Sequence, residues 1–239
     1  MRIISRRPLR EFGDTHADSR GPLDAWYRIV KGREYRSPYE LRRDFPTASF
    51  LGGSRTVFNI GGNKYRLVVD MRYDLGRVYV RQVLAHEEYD RRSIDGTLRE
   101  REEEWIVSTG LLDFSKPHVL KSETEYDAAI AEIERLLDED VEAGSEGYDR
   151  LEFLSVLVEH YEDERYPMGA VAPREAVSFM LEQKGLERSD LDGVMGGRSR
   201  VSEFLTGKRE LSKSQVEGLR RLLGIPADVL LGLEGWDDP

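Results

Sequence analysis

The chain has 239 residues and a formal net charge of −10, with 34% charged and 39% hydrophobic residues, which allows one large domain or two smaller ones with cores of their own. It contains no Cys, excluding a disulfide scaffold, a thiolate zinc site, an iron–sulfur cluster and a cysteine nucleophile, and its four His residues (16, 86, 118 and 160) include no helical pair for a metal. No apolar run approaches the roughly 20 residues of a membrane helix, and the basic stretch Met1–Arg10 leads into no apolar signal core, so the expectation is a cytoplasmic protein without membrane contact, metal or cofactor.

The charge is divided unevenly along the chain. Residues 1–92 carry a net +7, 93–170 a net −15 and 171–239 a net −2. A basic block followed by an acidic one suggests opposed partners within one chain. In the basic block, Arg2–Ser5 reads as a short strand, and Pro8 opens a helix to about His16. Pro22 opens the next helix, with Leu23, Trp26, Tyr27 and Val30 at helical spacing. Ser37-Pro38-Tyr39-Glu40 has the form of a capping box and predicts a short third helix.

An antiparallel meander follows. Thr56–Ile60, Lys64–Tyr73 and Arg77–Leu84 are strands, with turns at Gly61-Gly62-Asn63 and Asp74-Leu75-Gly76. Tyr65, Leu67, Val69, Met71 and Tyr73 share the face that packs on the helices. Lys64, Arg66 and Arg72 point the other way, and Arg77, Tyr79 and Arg81 alternate against Val78 and Val80. A basic sheet face with an interleaved ring is the composition of an RNA backbone platform, and equally of an ordinary solvated sheet face.

Residues 93–121 read as a junction that includes the run Arg99–Glu104, the patch Trp105-Ile106-Val107, and Pro117. Ser122-Glu123-Thr124-Glu125 then caps an amphipathic helix carrying Tyr126, Ile130, Ile133 and Leu137. After Gly144-Ser145-Glu146-Gly147, a second helix carries Leu151, Leu154, Val158 and Tyr161 and ends near Pro167. Together, residues 122–169 predict an acidic antiparallel hairpin. Residues 170–239 predict about five short helices: one from Pro173 to Gly185, one capped around Ser189–Asp192, one over Arg200–Leu205 after Gly196-Gly197, one capped by Ser212–Gln215 and stopped at Gly224, and a last turn after Pro226. Two short helices across a glycine turn inside such a bundle form a helix-turn-helix.

Val57-Phe58-Asn59-Ile60-Gly61-Gly62-Asn63-Lys64-Tyr65-Arg66-Leu67, with Val80-Arg81-Gln82-Val83-Leu84-Ala85-His86-Glu87-Glu88-Tyr89-Asp90, resembles the HigB-type toxins, RelE-like ribosome-associated mRNA interferases of bacterial toxin–antitoxin operons. Glu125–Ala129 and the block Arg198–Leu211 resemble the HigA-type antitoxins, the latter matching the recognition half of an Xre/Cro-type helix-turn-helix. The resemblance implies an α+β RelE-like toxin domain of helices and antiparallel sheet over 1–92, followed by an all-α antitoxin with a helix-turn-helix bundle. The two are normally separate chains, and here they share one.

Metal-free RNA cleavage needs the 2′-hydroxyl deprotonated, the charge on the scissile phosphate stabilised and the leaving oxygen protonated. Arg66 and Arg81, assisted by Lys64, supply fixed positive charge on neighbouring strands. His86, as an imidazole, suits an acid or base role, Tyr89 orients it or donates a proton, and Asp90 fixes either side chain. In the last block Ser199, Arg200 and Ser202 stand where base edges are read. Arg198, Lys208, Arg209 and the helix start near Ser189 stand where phosphates are met. The expected partners are mRNA on the ribosome, operator DNA bound by a homodimer joined through the antitoxin portion, and an intrachain or interchain contact between toxin and antitoxin. The alternative is a transcriptional regulator whose N-terminal module binds RNA or protein without catalysis.

Overall fold

The computed structural model of the protein describes residues 1–94 and 119–233, so the run Arg99–Glu104, the Trp105–Val107 patch and Pro117 lie outside the described residues. Pro8 stands in the first turn of α1 (Arg7–Thr15), where its missing N–H leaves no helical bond unmade. The second helix corrects the sequence expectation, because α2 (Ala17–Lys31) starts before Pro22 and runs through it. Pro22 forgoes one bond to the preceding turn, and the complete burial of Trp26, Ile29 and Val30 carries the helix across that loss. At α3 (Pro38–Asp44) the Ser37 hydroxyl accepts from the Glu40 amide at 3.4 Å, and Glu40 reaches back to the Arg36 amide at 2.9 Å.

The sheet has five strands in the order β1-β5-β4-β3-β2, from β1 (Arg2–Ile4), β2 (Ser49–Phe50), β3 (Arg55–Ile60), β4 (Tyr65–Arg72) and β5 (Arg77–Ala85). The predicted meander forms its antiparallel centre. β1 adds to β5 in parallel, so the sheet is mixed, a correction to the antiparallel expectation. Gly61, Gly62 and Asn63 all take positive φ (62°, 67° and 72°), the conformation that selects Gly and Asn in this turn. Val68 pairs with Gln82 but Val69 with Val80, which leaves Arg81 as the extra residue of a β-bulge. The bulge reverses the alternation of β5 beyond it, so Val83 joins Val78 and Val80 on the helix side.

Each sheet face carries a core. On the helix side, Tyr65, Leu67, Val69 and Met71 pack with Trp26, Phe45 and Phe58, and this core continues unbroken into Val177, Phe179, Met180 and Leu219 of the C-terminal bundle. On the other side, Ile4 and Tyr79 pack against Tyr126 and Ile133 of α5 (Glu123–Asp138) and Leu151, Leu154 and Val158 of α6 (Glu146–Arg165). Each such fully buried aliphatic side chain contributes about 1.5–3 kcal/mol. The reciprocal Ser122–Glu125 capping box starts α5 and the Ser145 hydroxyl caps α6.

The bundle consists of α7 (Pro173–Lys184), a 3-10 turn over Arg188–Leu191, α8 (Asp192–Met195), α9 (Arg198–Leu205), α10 (Lys213–Leu223) and α11 (Ala227–Leu231). Gly196 and Gly197 (φ 82° and 114°) make the reversal between α8 and α9, and α9 begins two residues before the predicted Arg200. The bundle grips the α+β part through α7. The buried Gln183 donates to the Asn59 carbonyl at 2.8 Å and accepts from Thr47 at 3.2 Å, and the Gly62 amide donates to Glu182 at 2.7 Å. The α+β part is therefore held between the hairpin on one sheet face and the bundle on its helices. Among the described residues no helix is long and apolar enough to cross a membrane.

Candidate active site

The start of β4, the end of β5 and α4 (His86–Ile94), which continues β5 directly, meet at one end of the sheet. The His86 amide donates to the Lys64 carbonyl at 2.8 Å, so the ladder runs up to the first residue of α4. Arg66 stands opposite Leu84, and its guanidinium donates to the carbonyls of Asn63 (3.1 Å) and Tyr65 (3.3 Å) and lies 5.9 Å from the centre of the Tyr89 ring. One helical turn apart, His86 Nε2 and Asp90 Oδ2 are 3.1 Å apart. Partial burial pulls the Arg66 guanidinium below its ordinary value, against the opposing influence of Asp90 and Tyr89. Burial also raises the Tyr89 phenol, opposed by Arg66. Four of the six candidates thus form one group: a cation, a ring with a protonated phenol, an imidazole and the carboxylate that orients it.

Lys64 and Arg81 stand apart from that group. Lys64, expected on the same face as Arg66, turns to Asp18 at the start of α2, with Nζ 2.7 Å from Oδ2, and the Tyr65 phenol donates to Oδ1 of the same carboxylate at 2.8 Å. The hydrogen bond from Lys64, and then that from Tyr65, lowers the Asp18 carboxyl. Beside it the His16 ring stacks on Phe12 with centroids 4.1 Å apart and meets Tyr65 edge-on. Sequence reasoning missed Asp18 and His16. The only local signal was a polar corner between two helices.

Arg81 shares the face of Arg66 but lies farther along it. Its Nε donates to Asp70 Oδ2, and its remaining nitrogens meet Asp138 and Glu134 of α5. Asp70 is 2% exposed and also takes Arg55 and the Ser54 hydroxyl, each at 3.2 Å. Arg72, likewise on this face, bonds Asp74 and the Val141 carbonyl.

The hairpin answers the rest of this basic face with carboxylates. Arg7 pairs with Asp127 (2.7 Å) and Glu123 (3.4 Å), Arg2 with Glu159 (3.2 Å) and Arg77 with Glu152 (3.6 Å). Arg6 and Glu162 are both buried, the Glu162 carboxylate accepting from the Arg6 amide at 2.5 Å, from Arg6 Nε at 3.3 Å and from the Tyr126 phenol at 2.7 Å. Burial raises the Glu162 carboxyl despite these partners.

In the bundle, Ser189, Arg198, Ser199, Arg200, Ser202, Lys208 and Arg209 are all exposed. Ser189 lies in the 3-10 turn and not at the start of an α-helix, a correction to the expected helix N-terminus there. A groove of about 700 Å³ between α7 and α9 is lined by Ser189, Arg198 and Ser202. Arg209 pairs with Glu203 at 2.9 Å and Arg198 with Asp192 at 3.5 Å. Among the described residues no group of three or more His, Asp or Glu could hold a metal ion.

Residues 19–92 match the family model of the HigB toxin, described as the RelE-like toxic component of a toxin–antitoxin system. The chain is 29% identical over 93 residues to the mRNA interferase HigB of Escherichia coli O6:H1, covering 38% of this chain and 90% of that protein. It is 26% identical over 92 residues to the mRNA interferase toxin HigB of Escherichia coli K12 and to the mRNA interferase HigB of Shigella flexneri, covering 38% of this chain and 88% of each. The N-terminal segment carries a HigB-type, RelE-like domain, and nearly the full length of these separate relatives is contained in it.

Proposed function

We propose that this chain is a toxin and its antitoxin in one polypeptide. Residues 1–92 are an mRNA endoribonuclease acting on ribosome-bound message, the acidic hairpin over 122–169 restrains it, and the bundle over 170–239 is a helix-turn-helix that binds operator DNA as a homodimer and represses its own operon. The observation that carries this reading is the gathering of Arg66, His86, Tyr89 and Asp90 at one sheet end, within a segment similar to the HigB interferases.

The chemistry follows from the side chains. His86, held by Asp90, takes the proton of the 2′-hydroxyl as it attacks the neighbouring phosphorus. Arg66 stands where the extra negative charge of the phosphorane develops. The Tyr89 phenol, kept protonated by burial on a ring whose centre is 5.9 Å from the Arg66 guanidinium, donates to the departing 5′-oxygen. Atoms balance without a metal: a cyclic phosphate and a free 5′-hydroxyl are the products. In the bundle, the exposed first turns of α9 present Ser199, Arg200 and Ser202 to base edges, with Arg198, Lys208 and Arg209 flanking.

A chain truncated after α4, mixed with translating ribosomes, is expected to cut mRNA, and the same chain carrying Arg66→Ala is expected not to. The ion pairs that engage Lys64 and Arg81 favour the alternative, a regulator with a catalytically silent N-terminal module. An absence of cleavage by a truncated chain whose circular dichroism shows it folded would favour that alternative.

A further inference from the structure

Three consecutive residues at the end of α7 reach across the seam to the α+β part, and two of them meet the strand and turn that carry the candidate catalytic group. The fully buried Gln183 carboxamide donates to the Asn59 carbonyl at 2.8 Å, and Asn59 stands directly opposite Arg66 in the ladder of β3 and β4. Glu182 accepts from the amide of Gly62, in the turn between those strands, at 2.7 Å. Lys184 bonds elsewhere, to the Arg43 carbonyl at 2.9 Å and to Asp44 at 3.6 Å, at the end of α3.

The turn over residues 61–64 is bonded from its other side by the catalytic group. The Asn63 carbonyl accepts from Arg66 Nη1 at 3.1 Å, and the Lys64 carbonyl accepts from the His86 amide at 2.8 Å. Where these two carbonyls stand therefore decides where the Arg66 guanidinium and the first residue of α4 stand. The turn does not fix itself. Two of its residues are glycines, which admit many backbone conformations, and its own closing bond, from the Lys64 amide to the Gly61 carbonyl, is long at 3.4 Å. The bond to Glu182 is shorter, and its acceptor is charged, which makes it the stronger of the two. A displacement of about 1 Å in a catalytic group can cost about 10² in rate, so an anchor on this turn bears on the chemistry.

We propose that the bundle is a working part of the catalytic end: Glu182, seated by the buried Gln183 beside it, is a positioning residue that fixes the turn over residues 61–64 and, through the carbonyls of Asn63 and Lys64, sets the places of Arg66 and His86. Both residues belong to α7, which lies outside the residues matched to the HigB toxin. The proposal rests on the reading of Arg66 and His86 as catalytic, but its main readout is amide exchange, which reports position whether or not the group cleaves RNA, so the failure of one is distinguishable from the failure of the other.

The test uses the full chain and follows hydrogen exchange of the His86 amide by NMR, since this amide bonds the turn at Lys64, two residues beyond Gly62. Glu182→Ala is expected to speed its exchange at least fivefold. Glu182→Gln, which keeps an acceptor oxygen, is expected to stay within twofold of the parent. Lys184→Ala loosens the same seam at α3 and is expected to leave His86 within twofold as well. The amides of Leu154 and Val158, inside α6, report opening of the whole chain and are expected to change less than that of His86. Adenosine 3′-monophosphate serves as the phosphate probe in the same samples, and its dissociation constant is expected to rise at least threefold in Glu182→Ala and to return to the parent value in Glu182→Gln. Unchanged His86 exchange in Glu182→Ala would overturn the proposal. So would an acceleration matched at Leu154 and Val158, or one reproduced by Lys184→Ala, either of which would reduce the effect to lost stability. A parent chain that does not bind the probe would count against the catalytic reading of Arg66, and the exchange of His86 would still decide the positioning.

Discussion

Arg81 and Asp70 sit side by side on neighbouring strands at the β-bulge, joined through Nε and Oδ2, with Asp70 almost wholly buried beneath the hairpin. Burial alone would raise the Asp70 carboxyl, but the guanidiniums of Arg81 and Arg55 outweigh it and hold it below the usual carboxylate range. A carboxyl depressed in the folded state contributes stability that is present above its unfolded value, about pH 4, and is lost as the pH falls through the folded value. Asp70→Asn is therefore expected to lower stability at pH 7 by about 3 kcal/mol, because two cations lose a buried partner. Below the folded value the gap between variant and parent closes. Urea unfolding at a series of pH values from 7 downward measures both, and a gap that does not narrow as the carboxylates protonate would show that Asp70 acts by shape and not by charge.

The division of the basic residues into two groups predicts unequal effects on cleavage. In the chain truncated after α4, Arg66→Ala and His86→Ala should each slow cleavage of ribosome-bound mRNA by about 10²–10³, the usual cost of removing a group aimed at developing charge or a transferred proton. Arg81→Ala, whose side chain is directed at Asp70, should cost less than about tenfold by the same standard. Single-turnover rates decide the matter. An Arg81 effect as large as that of Arg66 would place Arg81 in the reacting group, as the sequence had suggested.

The seam between the α+β part and the bundle makes a matched pair of glycines informative. Gly32 has an ordinary φ of −76°, yet a Cβ there would lie 2.6 Å from Cγ of Pro226, a stiff ring in the loop before α11. Gly193, exposed within α8, has nothing within 4 Å of the same atom. Gly32→Ala should destabilise by about 1–3 kcal/mol through overpacking. Gly193→Ala should stabilise by about 0.5–1 kcal/mol, since a helical position favours Ala. Thermal unfolding of both variants reads the two signs. A neutral Gly32→Ala would mean that the bundle can move away from α2 at no cost.

What was legible in the sequence was local. The capping boxes at Ser122–Glu125 and Ser212–Gln215 are written in four consecutive residues each, and the alternation of Tyr65, Leu67, Val69 and Met71 needs only a period of two. The bulge at Arg81 escaped because one extra residue leaves no mark in composition, although it decides which side chains of β5 face the helices. The parallel pairing of β1 with β5 and the bond of Lys64 to Asp18 join distant parts of the chain, and no local pattern encodes them. The opposed charges of the first two blocks anticipated attraction, but only the fold shows that it falls on the arginines away from His86. The group of Arg66, His86, Tyr89 and Asp90 was nameable because α4 follows β5 without a loop, which fixes the last two at helical spacing from His86.

The bundle yields a prediction that separates reading from anchoring. Gly196 and Gly197 turn the chain so that α9 starts at Arg198, which puts Ser199, Arg200 and Ser202 in its first two turns, exposed to solvent. Arg200 folds over Gly196, a guanidinium nitrogen 2.7 Å from where a Cβ would stand, so the end of its side chain lies against the turn while the residue stays exposed. Lys208 is exposed in the turn after α9. A side chain that reads a base edge loses discrimination when removed, typically about 1–3 kcal/mol at its own position, whereas a phosphate contact weakens all sequences alike. Against the promoter region upstream of its own gene, Arg200→Ala should bring specific and unrelated DNA closer in affinity. Lys208→Ala should lower both equally and reduce the slope of log K against log salt by about one unit. Titration of both variants over a range of salt measures the two quantities. Equal, salt-independent losses for the two variants, or a parent chain that binds its promoter no better than unrelated DNA, would remove α9 from the role of a reading helix.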